Sequence, residues 1–273
     1  MASSARYGQG RAGAQQRPPI KGGVSDNPWV YGKHAVRALL GNPRRRVERL
    51  VAEREVGLEF SELFPSRPFE IVERRQIDDL LPVGAVHQGV AVLAAPLPSL
   101  NLDQLFNGLS ERAVVLVLDQ VTDPHNLGAI LRSAAVFGAV AVVVTERNAP
   151  RLTGLVAKAA SGAIEQVPVI RVVNLARALD ELFAAGFWRI GLDATGRETV
   201  ATMVGGKQPI NRLALVLGAE GDGLRRLTLE KCDGLARLDA AGAFTSLNVS
   251  NAAAVALYAA QQRFAVVEGG KNG

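Results

Sequence analysis

The chain is poor in several things, and each shortage excludes a class of protein. It has one cysteine, Cys232, in 273 residues. That rules out an internal disulfide and a multi-cysteine zinc site, and it points to a reducing compartment. No apolar run reaches the roughly 18–20 residues of a membrane span, and Met1–Gly23 has no apolar signal core. Neither a membrane protein nor a Sec-exported one is expected. The expected location is the cytoplasm, with an organellar matrix as the alternative. There is no GxSxG elbow and no HExxH. His34, His87 and His125 are scattered without paired ligand spacing, so no metal is expected and each reads as a packing or capping residue.

Excess charge is also scarce in most of the chain. The net charge is +5, of which residues 1–27 hold +3 and residues 28–96 and 97–273 hold +1 each. Residues 1–27 are rich in Gly, Ser, Arg, Gln and Pro, with almost no large apolar side chain. Such a segment cannot offset its ordering entropy and is expected to be disordered. Its glycines and prolines argue against the amphipathic helix of a transit peptide. A basic tail suits a polyanion, so deleting it should weaken binding of such a partner and flatten its salt dependence.

What is present is a long alternation of apolar runs and helical patterns. Residues 28–95 read as a small α/β unit, with a helix around Val36, Leu39 and Leu40 closed by Gly41-Asn42-Pro43. Strands are expected at Arg49–Ala52, Phe69–Val72 and Gly89–Ala94, with a helical turn at Gln76–Leu81. Residues 96–112 form a proline-bearing linker with a short helix near Asn101–Gly108. Residues 113–265 then alternate strand and helix, and 266–273 are a tail. Strands are expected at Ala113–Leu118, Val140–Val144, Val167–Val172, Trp188–Leu192 and Leu213–Leu217. Helices are expected at Asn126–Gly138, Leu152–Ala160, Leu175–Ala185, Leu224–Glu230 and Asn248–Phe264. Buried strands separated by helices make a mostly parallel α/β sheet. No internal repeat is evident.

Ligands of open α/β sheets bind at the carboxyl ends of strands, so the segments that follow strands carry the chemistry. Leu118–Gly128 leaves the first strand and opens a helix. Asn126 can cap that helix, Gly128 allows close backbone approach, and Arg132 lies about 600° of helical turn beyond Asn126. The bland reading is a capped helix with an exposed arginine. Leu217–Leu224 places three glycines after a buried strand in the order GxxGxG, which is neither a dinucleotide fingerprint nor a P-loop. The bland reading there is a turn. Phe244–Asn251 clusters Thr, Ser and Asn before the last helix, as caps or as ligand contacts. Arg44-Arg45-Arg46 is either a solvated face or an RNA phosphate contact.

The three segments in this order resemble motifs one, two and three of the SpoU/TrmH family of RNA ribose 2′-O-methyltransferases. Motif one is matched by Asp123-Pro124-His125-Asn126-Leu127-Gly128 through Arg132-Ser133-Ala134. Motif two is matched by Leu217-Gly218-Ala219-Glu220-Gly221, and motif three by Ser246-Leu247-Asn248-Val249-Ser250. Val30–Val36, Gly84–Val90 and Arg225–Thr228 resemble the 23S rRNA guanosine-2′-O-methyltransferase subgroup.

That resemblance implies a catalytic domain with a C-terminal trefoil knot, a small L30e-like RNA-binding domain, S-adenosylmethionine as cofactor, and a homodimer. It implies 23S rRNA as substrate, with tRNA as the alternative, and a non-catalytic RNA-binding or assembly protein as a more distant one. By position it assigns cofactor contacts to Gly218, Leu238 and Leu247. It assigns the catalytic site to Arg132, Asn126, Glu220, Ser246 and Asn248. The RNA contacts are expected at Arg44, Arg45 and Arg46. One departure stands before motif three, where Leu238-Asp239-Ala240 replaces the family's Ile-Pro-Met type of sequence. It frees a backbone N–H, loosens the loop and, at Asp239, adds a negative charge near a cationic sulfonium.

Overall fold

A computed structural model describes residues 29–205, 210–219, 221, 223–239 and 247–269, the last five by backbone alone. The expected N-terminal disorder lies outside the described residues, and so do residues 270–273 and the predicted site residues Glu220 and Ser246, while the expected tail from residue 266 begins inside the terminal helix, which runs to Gly269.

The first sheet is built from β1 (Trp29–Tyr31), β2 (Val47–Ala52), β3 (Glu70–Ile71) and β4 (Val90–Ala94). Their order is β1-β4-β2-β3, with β4 antiparallel to both neighbours and β3 parallel to β2. Around it lie α1 (Lys33–Gly41), α2 (Arg54–Leu63) and α3 (Arg74–Asp78). Val36 and Leu39 of α1 and Phe60 of α2 are fully buried against β4 and β2. Phe60 meets the Phe69 ring edge-on at 5.9 Å.

After a short α4 (Leu102–Phe106), the chain forms seven strands. They are β5 (Ala113–Leu118), β6 (Ala141–Thr145), β7 (Val169–Val172), β8 (Trp188–Leu192), β9 (Glu198–Thr199), β10 (Arg212–Leu217) and β11 (Gly234–Arg237). The order is β7-β6-β5-β10-β8-β11-β9, and every pairing is parallel. The intervening helices are α5 (Pro124–Val136), α6 (Gly154–Ala159), α7 (Leu175–Ala184), α8 (Val200–Gly205), α9 (Arg226–Glu230) and a terminal α10 (Val249–Gly269). Strand β5 shows why both faces need cover. Val114, Leu116 and Leu118 point towards α5 and α10, while Ala113, Val115 and Val117 point towards α4 and α7.

The two sheets meet through a buried ion pair. Arg45 of the α1–β2 loop binds Glu165, which sits in a single 3-10 turn (Ala163–Glu165) after α6. Asn42 Nδ2 also donates to Glu165 Oε2 at 2.8 Å.

The strand order decides where a ligand belongs. Strand β5 has β6 on one side and β10 on the other, so the sheet changes winding direction there. Crevices open at such a reversal, outside the carboxyl ends of the strands. Leu118, Leu217 and Leu192 end in register, so the segments after β5, β10 and β8 leave from one rim.

Candidate active site

The rim is braced by a residue that sequence reasoning passed over. Asp119 follows β5 and is fully buried. Its carboxylate accepts from Arg225 N at 3.1 Å, Arg225 Nε at 2.7 Å and Thr228 Oγ1 at 2.6 Å. It thereby fixes the far end of the glycine loop after β10 against β5. The available signal was a carboxylate directly after a six-residue apolar strand, where a buried charge must find partners.

The glycine loop itself is tight. Gly223 N donates to Ala219 O at 3.1 Å, closing a short turn with Gly221 at φ +89°. A Cβ on Gly218 would lie 2.1 Å from Gly223 C, so only glycine fits where the chain leaves β10.

Asn126 is not the cap of α5. Asp123 is: its carboxylate accepts from His125 N and Asn126 N, each at 3.2 Å, and Pro124 takes the first helical position. Relieved of capping, Asn126 turns outward, and its Oδ1 accepts from Asn248 Nδ2 at 3.0 Å. Asn248 Oδ1 in turn accepts from Ser250 N and Oγ at the start of α10. Two predicted site residues far apart in sequence therefore meet. Gly128 also serves a purpose other than the expected one. A Cβ there would stand 2.3 Å from Ala159 Cβ, so the glycine lets α5 pack against α6.

Arg132 is exposed and has no ion-pair partner among the described residues. At about 100° per residue, Arg132, His125, Val136, Ala129, Ser133 and Asn126 span a strip about 120° wide on α5. The opposite face, Leu127, Gly128, Ile130, Leu131 and Ala134, is buried. Asn126 and Arg132 thus bound opposite edges of one solvent-facing strip without touching each other.

Leu238 leaves β11 half-buried, and Leu247 is 51% exposed before α10. Strand β8 lies between β10 and β11, so its following loop separates Gly218 from Leu238. That loop holds Asp193, another residue the sequence did not single out. Asp193 N donates to Ala236 O at 2.9 Å, and its Oδ1 accepts from Thr195 N at 2.8 Å. A Cβ on Gly223 would be 3.6 Å from Asp193 Oδ2, so this carboxylate stands against the glycine loop.

Other candidates resolve into structural roles. The Arg45 side chain is taken up inside the protein. Its guanidinium is buried, with Nε and Nη2 on Glu165 at 2.8–3.0 Å and Nη1 on Ala95 O at 2.6 Å. Arg44 and Arg46 remain exposed. His87 is buried, with Nε2 on Asp78 Oδ1 and Nδ1 accepting from Gly89 N, both at 3.1 Å. Burial pushes the Cys232 thiol up to about 12, which removes it as a nucleophile. Among the described residues no His, Cys, Asp or Glu group could hold a metal. No described helix is long and apolar enough to cross a membrane.

Residues 113–258 match the model of the SpoU rRNA methylase family. The chain belongs to that family. Residues 29–100 match a second model, described as RNA 2′-O ribose methyltransferase substrate binding. The chain is 41% identical over 253 residues to the 23S rRNA (guanosine-2′-O-)-methyltransferase RlmB of Vibrio vulnificus, spanning 88% of this chain and 98% of that one. The enzyme of the same name from Pseudomonas putida is 39% identical over 240 residues, spanning 85% and 94%. In fold, the chain is similar to the SpoU methyltransferase AviRb of Streptomyces viridochromogenes, solved in complex with AdoMet. The TM-score is 0.72 at 24% identity, covering 86% of this chain and 89% of that one. The resemblance read from the three motifs is therefore borne out.

Proposed function

We propose that the chain transfers the methyl group of S-adenosylmethionine to the ribose 2′-hydroxyl of a guanosine in 23S rRNA. The observation that carries this reading is the Asn126–Asn248 hydrogen bond. It joins motif one to motif three on the rim that also bears the Gly218 loop.

The rim suits the cofactor. Backbone groups at Gly218, Leu238 and Leu247 would hold an adenosyl moiety, and the side chains of Leu238 and Leu247 offer it apolar cover. Asp193 and Asp239 supply negative charge suited to a cationic ligand. When bound, S-adenosylmethionine supplies an electrophilic methyl group on a good leaving sulfur. The protein's task is to align the ribose oxygen and to help it lose its proton.

Arg132 is not the base, because a guanidinium is a cation with hydrogen-bond donors only and no acceptor for a proton. It binds the neighbouring RNA phosphate and stabilises negative charge developing on the 2′-oxygen. Glu220 takes the proton, and Ser246 completes the polar site with Asn126 and Asn248. Arg44 and Arg46 contact RNA phosphates. The family resemblance implies that the catalytic domain carries a C-terminal trefoil knot. Exposed Val136 on α5, with Val255 and Tyr258 on α10, supports a homodimer formed across these helices. The protein works in the cytoplasm.

The test uses tritiated S-adenosylmethionine with unmodified 23S rRNA fragments and, separately, tRNA. Label at one alkali-resistant guanosine of 23S rRNA is expected, and it should vanish in Arg132→Ala with cofactor binding kept. Label on tRNA alone would refute the substrate. No label on either RNA, with cofactor bound, would refute the activity.

A further inference from the structure

A cavity of about 380 Å³ lies in the seam between the two sheets, on the side of β7. Strand β7 is the outer edge of the large sheet, two strands from β5. At about 4.8 Å per strand, that places it roughly 10 Å across the sheet from the strand that leads to Asn126. The seam is thus a place apart from the rim described above. Its volume falls in the range of small-molecule sites, roughly 300–1,000 Å³.

The lining has two characters. Leu97, Leu152 and Val169 give apolar walls, and the Pro96–Leu100 linker forms one side. Arg44, Arg45, Arg151 and Arg171 supply four guanidinium groups, and no carboxylate lines the cavity among the described residues. Glu165 neutralises Arg45 from behind. The other three have no such partner facing the cavity. Arg44 Nη2 reaches only the Glu165 carbonyl, at 3.5 Å, and Arg171 donates to the carbonyls of Glu146 and Pro150. Burial lowers the Arg171 pKa, the nearby Glu146 carboxylate raises it, and the like charge of Arg151 lowers it. Three cations are therefore gathered around an apolar slot with carbonyls for company. An anion would relieve their mutual repulsion, and a flat ring would fill the slot. Guanidinium groups both clamp phosphate and stack on bases.

We propose that this seam cavity binds a nucleoside monophosphate unit, with Arg44, Arg151 and Arg171 on the phosphate and the base between Leu97 and Val169. It is a second nucleotide site, separate from the methyl-transfer rim. The unit belongs either to the RNA chain, which rests on the function proposed above, or to a free nucleotide.

The experiment uses the full chain with two probes, a fluorescein-labelled single-stranded RNA hexamer and guanosine 5′-monophosphate. Two variants are compared with the wild type. Arg44→Ala/Arg151→Ala removes two exposed cations, and Ser99→Trp fills the cavity from the linker while every arginine stays. Each variant is expected to weaken hexamer binding about tenfold. Each should also lower the slope of log K against log salt by roughly 0.7, the value for one single-strand phosphate contact. Loss of hexamer binding in both variants supports a unit of RNA. Loss of guanosine 5′-monophosphate binding alone supports the free nucleotide. Loss in the arginine variant but not in Ser99→Trp would overturn the proposal, because a diffuse basic surface does not care whether the cavity is full. No loss in either variant would overturn it as well. The assay does not involve methyl transfer, so an inactive wild type would refute the proposed function and leave this result standing.

Discussion

The Arg45–Glu165 pair can be broken with one atom exchanged for another. Glu165→Gln keeps the shape of the side chain and removes its charge. In the native protein Glu165 accepts from Arg45 Nε and Nη2 at 2.8–3.0 Å and from Asn42 Nδ2 at 2.8 Å. Its partner side chain is only 6% exposed and its own 4%. A glutamine carries one acceptor oxygen and turns an NH₂ towards donors, leaving the arginine buried without its counter-charge. Breaking a buried pair from one side costs about 3–5 kcal/mol. At about 2–4 °C per kcal/mol for a chain of this class, the melting midpoint should fall by roughly 6–20 °C. The two tryptophans make the assay selective, since Trp29 sits in β1 and Trp188 in β8. In a Trp188→Phe background the fluorescence of Trp29 follows the small sheet alone. The double variant Arg45→Met/Glu165→Leu should melt above Glu165→Gln, because apolar replacement of both partners is often neutral. A midpoint for Glu165→Gln within about 2 °C of wild type would refute the reasoning. It would mean that water already reaches the pair.

Gly218→Ala should leave the protein folded but weaken S-adenosylhomocysteine binding, measured by calorimetry. The new Cβ meets the Gly223 backbone at 2.1 Å and forces the loop to move, at a strain of about 1–3 kcal/mol. Cys232, with its thiol pushed up to about 12, should not react with a disulfide reagent at pH 8 until guanidinium unfolds the chain. Burial alone would raise the Asp233 pKa, but hydrogen bonds from the Arg189 side chain and backbone outweigh it and hold it below its ordinary 3.8. Its contribution to stability is therefore complete above that value and is lost as pH falls through the lower folded value. Asp233→Asn should flatten the dependence of melting temperature on pH below about 4, as read by circular dichroism.

Much of the fold was legible where burial is complete. Ala113–Leu118 and Trp188–Leu192 occupy the expected residues, because a strand covered on both faces must be apolar throughout. Legibility failed where an element buries little. Strands β9 and β11 are Glu198–Thr199 and Gly234–Arg237, with no apolar run to mark them. Helix α2 was missed because Arg54–Leu63 buries only Val56, Gly57 and Phe60 beneath a charged surface. The insertion of β10 between β5 and β8 is not written in β10 itself, since any two buried parallel strands would accept its apolar side chains.

The site divides in the same way. Motif spacing pointed to Asn126 and Asn248, and the structure joins them. The role first given to Asn126, capping a helix, belongs to Asp123, because a proline at the next position sets the helix start one turn earlier. Asp119 shows the limit most clearly. Its three hydrogen bonds go to Arg225 and Thr228, more than 100 residues onward, and nothing local to Leu118-Asp119 names them. A buried carboxylate after an apolar strand announces only that partners exist. Which partners they are follows from the strand order, since only the placement of β10 beside β5 carries Arg225 to that rim. The residue that braces the glycine loop was therefore readable as buried and paired, but its function was readable only after the topology was known.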